Sequence, residues 1–212
     1  MNQSYFQLSL DKQKKLINSG YKIFATYPYK KASMLAISGE AGISKSLLFY
    51  YFRNKQEYYL FLFDTAIEFL SGNKVEASEG KVYDFFELIN MSVERRMKMI
   101  GDYPYLYKFI TRAYYETYEE ISSKLNKKKK IIMQTGEEEI LNIVDYNKFK
   151  NPSDIEILIK IVLSVAEGVM RGREDLDTVK MLEGVLEFKA MMESLKKYYY
   201  QEEYLNQKDG RG

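Results

Sequence analysis

From Asp11 to Tyr27 the apolar positions Leu16, Ile17, Gly20, Tyr21, Ile23 and Phe24 recur at helical spacing with lysines on the other side. That spacing predicts an amphipathic helix, and Pro28 ends it. Ser33 is placed to cap a short second helix whose Met34, Ile37 and Ala41 share one face, after which Gly42 supplies permissive backbone for a sharp turn. Ser44 caps a third short helix to about Phe52 or Arg53, and Asn54 with Glu57 forms a capping box opening a long fourth helix. The remaining pattern predicts helices at about 55–76, 81–101, 104–117, 120–146, 153–171 and 175–202. They are separated by the polar gap Ser78 to Gly80, by Asp102-Tyr103-Pro104 and by Asn151-Pro152-Ser153, where Glu156 completes another capping box. The polar tail from about Glu203 to Gly212 should fray.

Composition reinforces an all-α reading. Only 3 Pro and 12 Gly punctuate the 212 residues, too few for a turn-rich β fold. Cys and His are both absent, which removes disulfides, thiolate and imidazole metal sites, Cys nucleophiles and Ser-His dyads. Carboxylate-only chemistry survives that exclusion, yet no Asp-rich loop has calcium-type spacing, so neither an enzyme nor a cofactor is expected. The first residues hold no apolar leader and no stretch approaches ~18 apolar residues, so the reading is a soluble, cytoplasmic chain with no membrane partner.

Charge is unevenly distributed. Through Gln56 there are nine basic residues against Asp11 and Glu40, +7 for the segment, which leaves −5 for the rest of a chain whose formal net charge is +2. A small basic head before an acidic body is the electrostatic footprint of a module that grips nucleic acid. Helix two, the turn Ala41-Gly42-Ile43-Ser44 and helix three read as a helix-turn-helix, whose second helix enters the major groove. In the run Leu47 to Phe52, Leu48, Tyr51 and Phe52 fit an inward stripe, while Leu47, Phe49 and Tyr50 cannot all be buried by so short a helix. Exposed apolar and aromatic groups beside Lys45, Ser46, Arg53 and Lys55 suit thymine methyls, bases and phosphates. The run Lys127 to Lys130 reads as a solvated helix face.

In these residues the chain resembles the TetR family. The shared pieces are Ile23-Phe24, Ile37-Ser38, Ala41-Gly42-Ile43-Ser44, Leu48-Phe49-Tyr50-Tyr51-Phe52 and Lys55-Gln56-Glu57, which keep the family's register over about residues 12 to 62. Gly20 and Ser38 stand where the family usually has Ala, Pro28 replaces a Gly, Ala32 replaces a Thr, and Phe49 replaces a Tyr, losing its hydroxyl. The resemblance implies that Lys45 and Ser46 meet base edges, Phe49 makes apolar base contact, and Ser33, Tyr50, Tyr51 and Lys55 meet phosphates. Ser44, at the start of the reading helix, joins that set. For Tyr51, packing against the first helix is an equally good reading.

The body divides into two expectations. Ile155 to Val169 is apolar almost all round and must be buried on more than one side. Paired with the stripe Val179, Leu182, Val185, Leu186, Met192 and Leu195, it fits a two-fold four-helix interface in which Gly168 and Gly184 allow close approach. The interface candidates are Leu158, Val162, Val165, Val169, Leu182, Val185 and Leu186, and the resemblance implies the same homodimer. The middle helices are rich in aromatic and Met side chains, and the chain carries 20 Tyr. Core packing explains many of them, but Phe86, Met97, Tyr107, Tyr114, Tyr115 and Tyr118 are candidates to line a pocket for a small hydrophobic or aromatic effector.

The sequence therefore predicts an all-α chain with a helix-turn-helix domain at 1–54 and a helical ligand-binding and dimerisation domain at 55–212. The function expected is a dimeric repressor that releases operator DNA when an effector binds. The alternative is a helix-turn-helix protein of another class that works through protein partners without an effector.

Overall fold

The computed structural model describes residues 2–71, 82–170 and 178–205. Among them are nine α-helices and no β-strand: α1 (Leu10–Thr26), α2 (Met34–Ala41), α3 (Lys45–Phe52), α4 (Lys55–Ser71), α5 (Phe85–Asp102), α6 (Leu106–Tyr114), α7 (Glu119–Ile143), α8 (Ile155–Met170) and α9 (Thr178–Tyr199). The all-α expectation holds. The polar gap at Ser78 to Gly80, residues 206–212 of the tail and the side chain of Val179 lie outside the described residues. No described helix is long and apolar enough to cross a membrane.

The helix ends differ from the pattern where local hydrogen bonds decide them. Asp84 takes the Glu87 N–H at 3.0 Å and so starts α5 at Phe85. α6 is shorter than expected because Leu106 N–H closes a turn on the Tyr103 carbonyl at 3.0 Å, and Glu116 then accepts from Thr117 and Tyr118 N–H ahead of α7. Tyr83 bonds both the Ile143 carbonyl and the Asp145 N–H, which draws the chain out of helix at the end of α7. Asn151 caps a single 3-10 turn, Pro152–Asp154, before α8 begins at Ile155. Part of the tail is ordered, as the 3-10 turn Glu202–Tyr204.

The chain forms two compact units, Met1–Asn73 with Arg95–Lys130, and Lys74–Glu94 with Ile131–Gly212, so α5 and α7 each contribute to both. In the first unit α1 packs against α2, α4 and α6. Its core holds Tyr21, Phe24, Ile37, Leu48, Phe52, Tyr58, Leu62 and Phe109, all buried. The rings of Phe24 and Tyr59 meet edge-on at 4.7 Å and those of Phe52 and Tyr58 lie tilted at 4.5 Å, so aromatic packing joins α1, α3 and α4. The second unit closes around Phe85, Phe86, Phe149, Ile155, Leu158, Val162, Phe188, Met192 and Tyr200.

Candidate nucleic-acid interface

The head is built by caps and one left-handed glycine. The Ser33 hydroxyl oxygen accepts from Leu35 N–H at 3.2 Å and Ala36 N–H at 3.5 Å, opening α2. α2 ends at Gly42, whose φ of 68° is the left-handed conformation that a side chain would strain, and its N–H returns to the carbonyls of Ser38 and Gly39. Ser44 then accepts from Leu47 N–H at 3.1 Å and opens α3.

With α3 so placed, Leu48, Tyr51 and Phe52 point into the core and Lys45, Ser46, Leu47 and Tyr50 are exposed, with Phe49 half-buried beside them. Lys45 Nζ lies over the Phe49 ring, 5.7 Å from its centroid, so the cation and the aromatic ring form one surface. Ser46 and Tyr50 stand one turn apart on the same outward face. Ser33 and Ser44 are also exposed, their oxygens accepting cap bonds while each hydroxyl retains a proton to donate.

Two residues of the expected phosphate set are placed otherwise. Tyr51 is only 7% exposed, with its ring edge-on to Tyr5 at 6.3 Å, so it supports α3 from behind. Lys55 turns its ammonium inward to the carbonyl oxygens of Tyr29, Ala32 and Lys30, at 2.9, 3.3 and 3.4 Å. Its charge is committed to the loop between α1 and α2.

The pattern did not reveal the segment ahead of α1. Asn2 N–H donates to the Tyr51 carbonyl at 2.8 Å, filling one of the acceptors that the end of α3 leaves open. Tyr5 is buried, with its ring 5.1 Å from those of both Phe52 and Phe61. The signal available was the aromatic pair Tyr5-Phe6 in an otherwise polar leader.

In the first unit the expected ligand residues are scattered. Tyr114 and Tyr115 are exposed, because they fall where α6 ends, and Tyr118 packs on Tyr29 at 5.8 Å. Met97 and Tyr107 are half-buried, and burial pushes the Tyr107 phenol up to about 12. Phe86 is core of the second unit, edge-on to Tyr200 at 5.1 Å. A polar cleft of about 380 Å³ lies among Lys15, Asn18, Lys22, Glu40, Asp102 and Tyr105. The lysine run of α7 is more than a solvated face: Lys128 pairs with Asp64 at 2.8 Å and Lys129 donates to the Tyr114 carbonyl at 2.7 Å.

The expected dimer residues also separate. Leu158, Val162 and Val169 are buried in their own unit's core. Val165 and Val185 are half-buried, while Leu182 and Leu186 are 45% and 65% exposed. Ile157 and Leu163 on α8, absent from the expected set, are exposed as well, and a Cβ at Gly168 would meet open space within the chain.

A capped α2, a left-handed glycine turn and an α3 that buries one face and presents the other define a helix-turn-helix protein of the all-helical kind. Residues 16–60 match the model of the bacterial regulatory proteins of the tetR family. No curated protein matches the sequence. Solved structures share the whole fold. MexZ of Pseudomonas aeruginosa, described as a key repressor responsible for antibiotic resistance, is similar with a TM-score of 0.64 and 12% identity, over 93% of this chain and 98% of its own. NalD of the same organism, described as the secondary repressor of the MexAB-OprM multidrug efflux pump, gives 0.63 and 11%, over 91% and 98%. A TetR-like transcriptional regulator from Rhodococcus sp. RHA1 gives 0.61 and 15%, over 90% and 96%.

Proposed function

We propose that the chain is a transcriptional repressor that binds operator DNA as a homodimer and is released by a small hydrophobic or aromatic effector. The observation that carries this reading is the outward face of α3, where Lys45, Ser46, Phe49 and Tyr50 stand together on a helix anchored by Leu48 and Phe52. DNA contact falls within residues 1–54, and dimerisation and effector binding within 55–212. A DNA partner places the protein in the cytoplasm. The descriptions of MexZ and NalD as repressors support the sign of regulation.

The exposed apolar residues of α8 and α9, Ile157, Leu163, Leu182 and Leu186, supply the self-complementary face that a two-fold dimer needs. Coupling has a physical route inside the first unit. Tyr21 of α1 packs on Phe109 of α6 at 5.0 Å, and Arg112 donates to the Thr26 carbonyl at 3.1 Å. An effector that shifts α6 therefore shifts α1 and the reading head, and DNA must weaken the effector by the same factor.

The test is selection of duplexes from fragmented genomic DNA by the purified protein, followed by isotherms on the selected sequence and a scrambled one. Lys45→Ala should cost about 1–3 kcal/mol on the selected duplex with little change on the scrambled one, because Lys45 at the start of α3 reaches base edges. Failure to enrich any sequence would overturn the reading.

A further inference from the structure

The Ser4 hydroxyl lies 3.1 Å from the Tyr50 hydroxyl. They meet because the leader is held by one backbone bond to the reading helix, one turn of its own and one buried ring. Asn2 N–H holds the Tyr51 carbonyl, Asn2 Oδ1 accepts from Ser4 N–H at 3.0 Å, and the Tyr5 ring is buried against Phe52 and Phe61. Ser4 is thus delivered to the exposed face of α3, one turn beyond Ser46. Tyr50 itself is 54% exposed, so its hydroxyl is open to a partner on the outer side.

We propose that Ser4 is a positioning residue for DNA binding: it donates to the Tyr50 oxygen and so directs the phenol proton outward to a backbone phosphate. This rests on the operator-binding reading above and deepens it by adding the leader to the head. A phenol has one proton and two acceptor sites. When Ser4 fills an acceptor site, the proton has no inward partner to prefer, and a hydroxyl that accepts one hydrogen bond donates a stronger one. Consistent with this, hydrogen bonds from the Ser4 and Asn2 side chains hold the Tyr50 phenol below its ordinary range. Ser4 also removes rotamer freedom that a free tyrosine at the surface would lose on binding.

The experiment compares the full chain with Ser4→Ala, Tyr50→Phe, the double variant and Ser4→Thr on a duplex selected by the wild-type protein. A parallel set of duplexes carries one uncharged methylphosphonate at each backbone position in turn. Ser4→Ala and Tyr50→Phe should each weaken binding by about 3- to 10-fold, the range of one net hydrogen bond. The double variant should bind like Tyr50→Phe alone, and Ser4→Thr should bind like wild type. One methylphosphonate position per half-site should weaken wild type and leave Tyr50→Phe unaffected. The salt dependence should be the same for all variants, since a neutral hydroxyl releases no counterion. Melting temperatures should agree, because Asn2 and Tyr5 still hold the leader. The inference is overturned if Ser4→Ala binds like wild type, if the two losses multiply in the double variant, or if the loss follows a lowered melting temperature. If wild type selects no duplex at all, the operator-binding reading falls and takes this inference with it.

Discussion

The Lys55 ammonium sits 4.5 Å from the centroid of the Tyr29 ring and 2.9 Å from the carbonyl oxygen of the same residue. One side chain at the start of α4 therefore holds the loop that delivers α2. Pro28 and the turn after it leave carbonyls that no helix satisfies, and Lys55 meets three of them.

Lys55→Ala should therefore act on stability before it acts on DNA. Loss of a charge-assisted hydrogen bond and a cation–π contact should cost about 1–3 kcal/mol in urea unfolding. Lys55→Arg should not restore it, because a planar fork does not fit three carbonyls gathered around one point. On DNA, the salt dependence of the folded variant should match wild type. A salt slope lower by about one unit would return Lys55 to the phosphate set.

The dimer prediction turns on which side of α8 and α9 a residue faces. Leu186→Glu places a charge on a residue 65% exposed in the single chain, so it should convert a dimer to a folded 25.0 kDa monomer. Val162→Asp buries an unpaired charge beside Leu158 and Phe188 and should unfold the second unit. Sedimentation paired with circular dichroism separates the two. A folded Val162→Asp monomer, or a Leu186→Glu dimer, would place the interface elsewhere.

What the sequence showed and what it hid divide along a physical line. Gly42, Ser33 and Ser44 were legible because a turn or a cap is decided by a few adjacent residues, and each does locally what its chemistry requires. The inward stripe Leu48 and Phe52 followed from helical spacing alone. Tyr51 belonged to the same stripe, whereas Lys55 and the Asn2–Tyr5 leader were not legible, since their partners lie 26, 46 and more residues away along the chain. In α8 the periodicity was ambiguous for another reason. A helix apolar almost all round does not say which face meets its own core, and in the chain Leu158 and Val162 are the buried ones while Ile157 and Leu163 are exposed.

Gly20 is crowded by Leu62 and Tyr58. A Cβ there would overlap Leu62 Cδ1 and lie 2.5 Å from the Tyr58 hydroxyl, which itself donates to the Leu16 carbonyl at 2.6 Å. Gly20→Ala should thus destabilise by about 1–3 kcal/mol through overpacking, outweighing the roughly 1 kcal/mol that alanine gains in helix propensity. Tyr58→Phe removes the oxygen, so the same glycine change should cost less in that background. Equal costs in a double-mutant cycle by urea unfolding would mean that Leu62 alone sets the limit.

Asp84 gives the second unit an acid-sensitive tie. Its side chain is 5% exposed, its Oδ1 caps α5 through Glu87 N–H, and its Oδ2 accepts from Lys148 Nζ at 2.9 Å. Burial pushes the carboxyl up, but the Lys148 hydrogen bond, the Glu87 N–H and the charges of Lys148 and Lys196 outweigh it, and the group titrates below its ordinary 3.8. A carboxyl depressed by folding stabilises the native state above its unfolded value, and that contribution disappears as pH falls through the folded value. The wild type should accordingly lose this stability only below about pH 4. Asp84→Asn keeps the cap and loses the charge, which leaves Lys148 partly buried without its counterion. It should be less stable than wild type at pH 7, and the part of that gap owed to the depressed carboxyl should narrow as pH falls below about 4. Lys148→Met should turn the Asp84 shift upward, because the buried carboxylate then lacks its nearest cation and gains by taking up a proton, so acid should narrow that variant's deficit too, starting from a higher pH. Urea midpoints of the three proteins at pH 7, 5, 4 and 3 make the comparison, and gaps that stayed constant across the series would show that the Asp84 charge is not what holds α5 to Lys148.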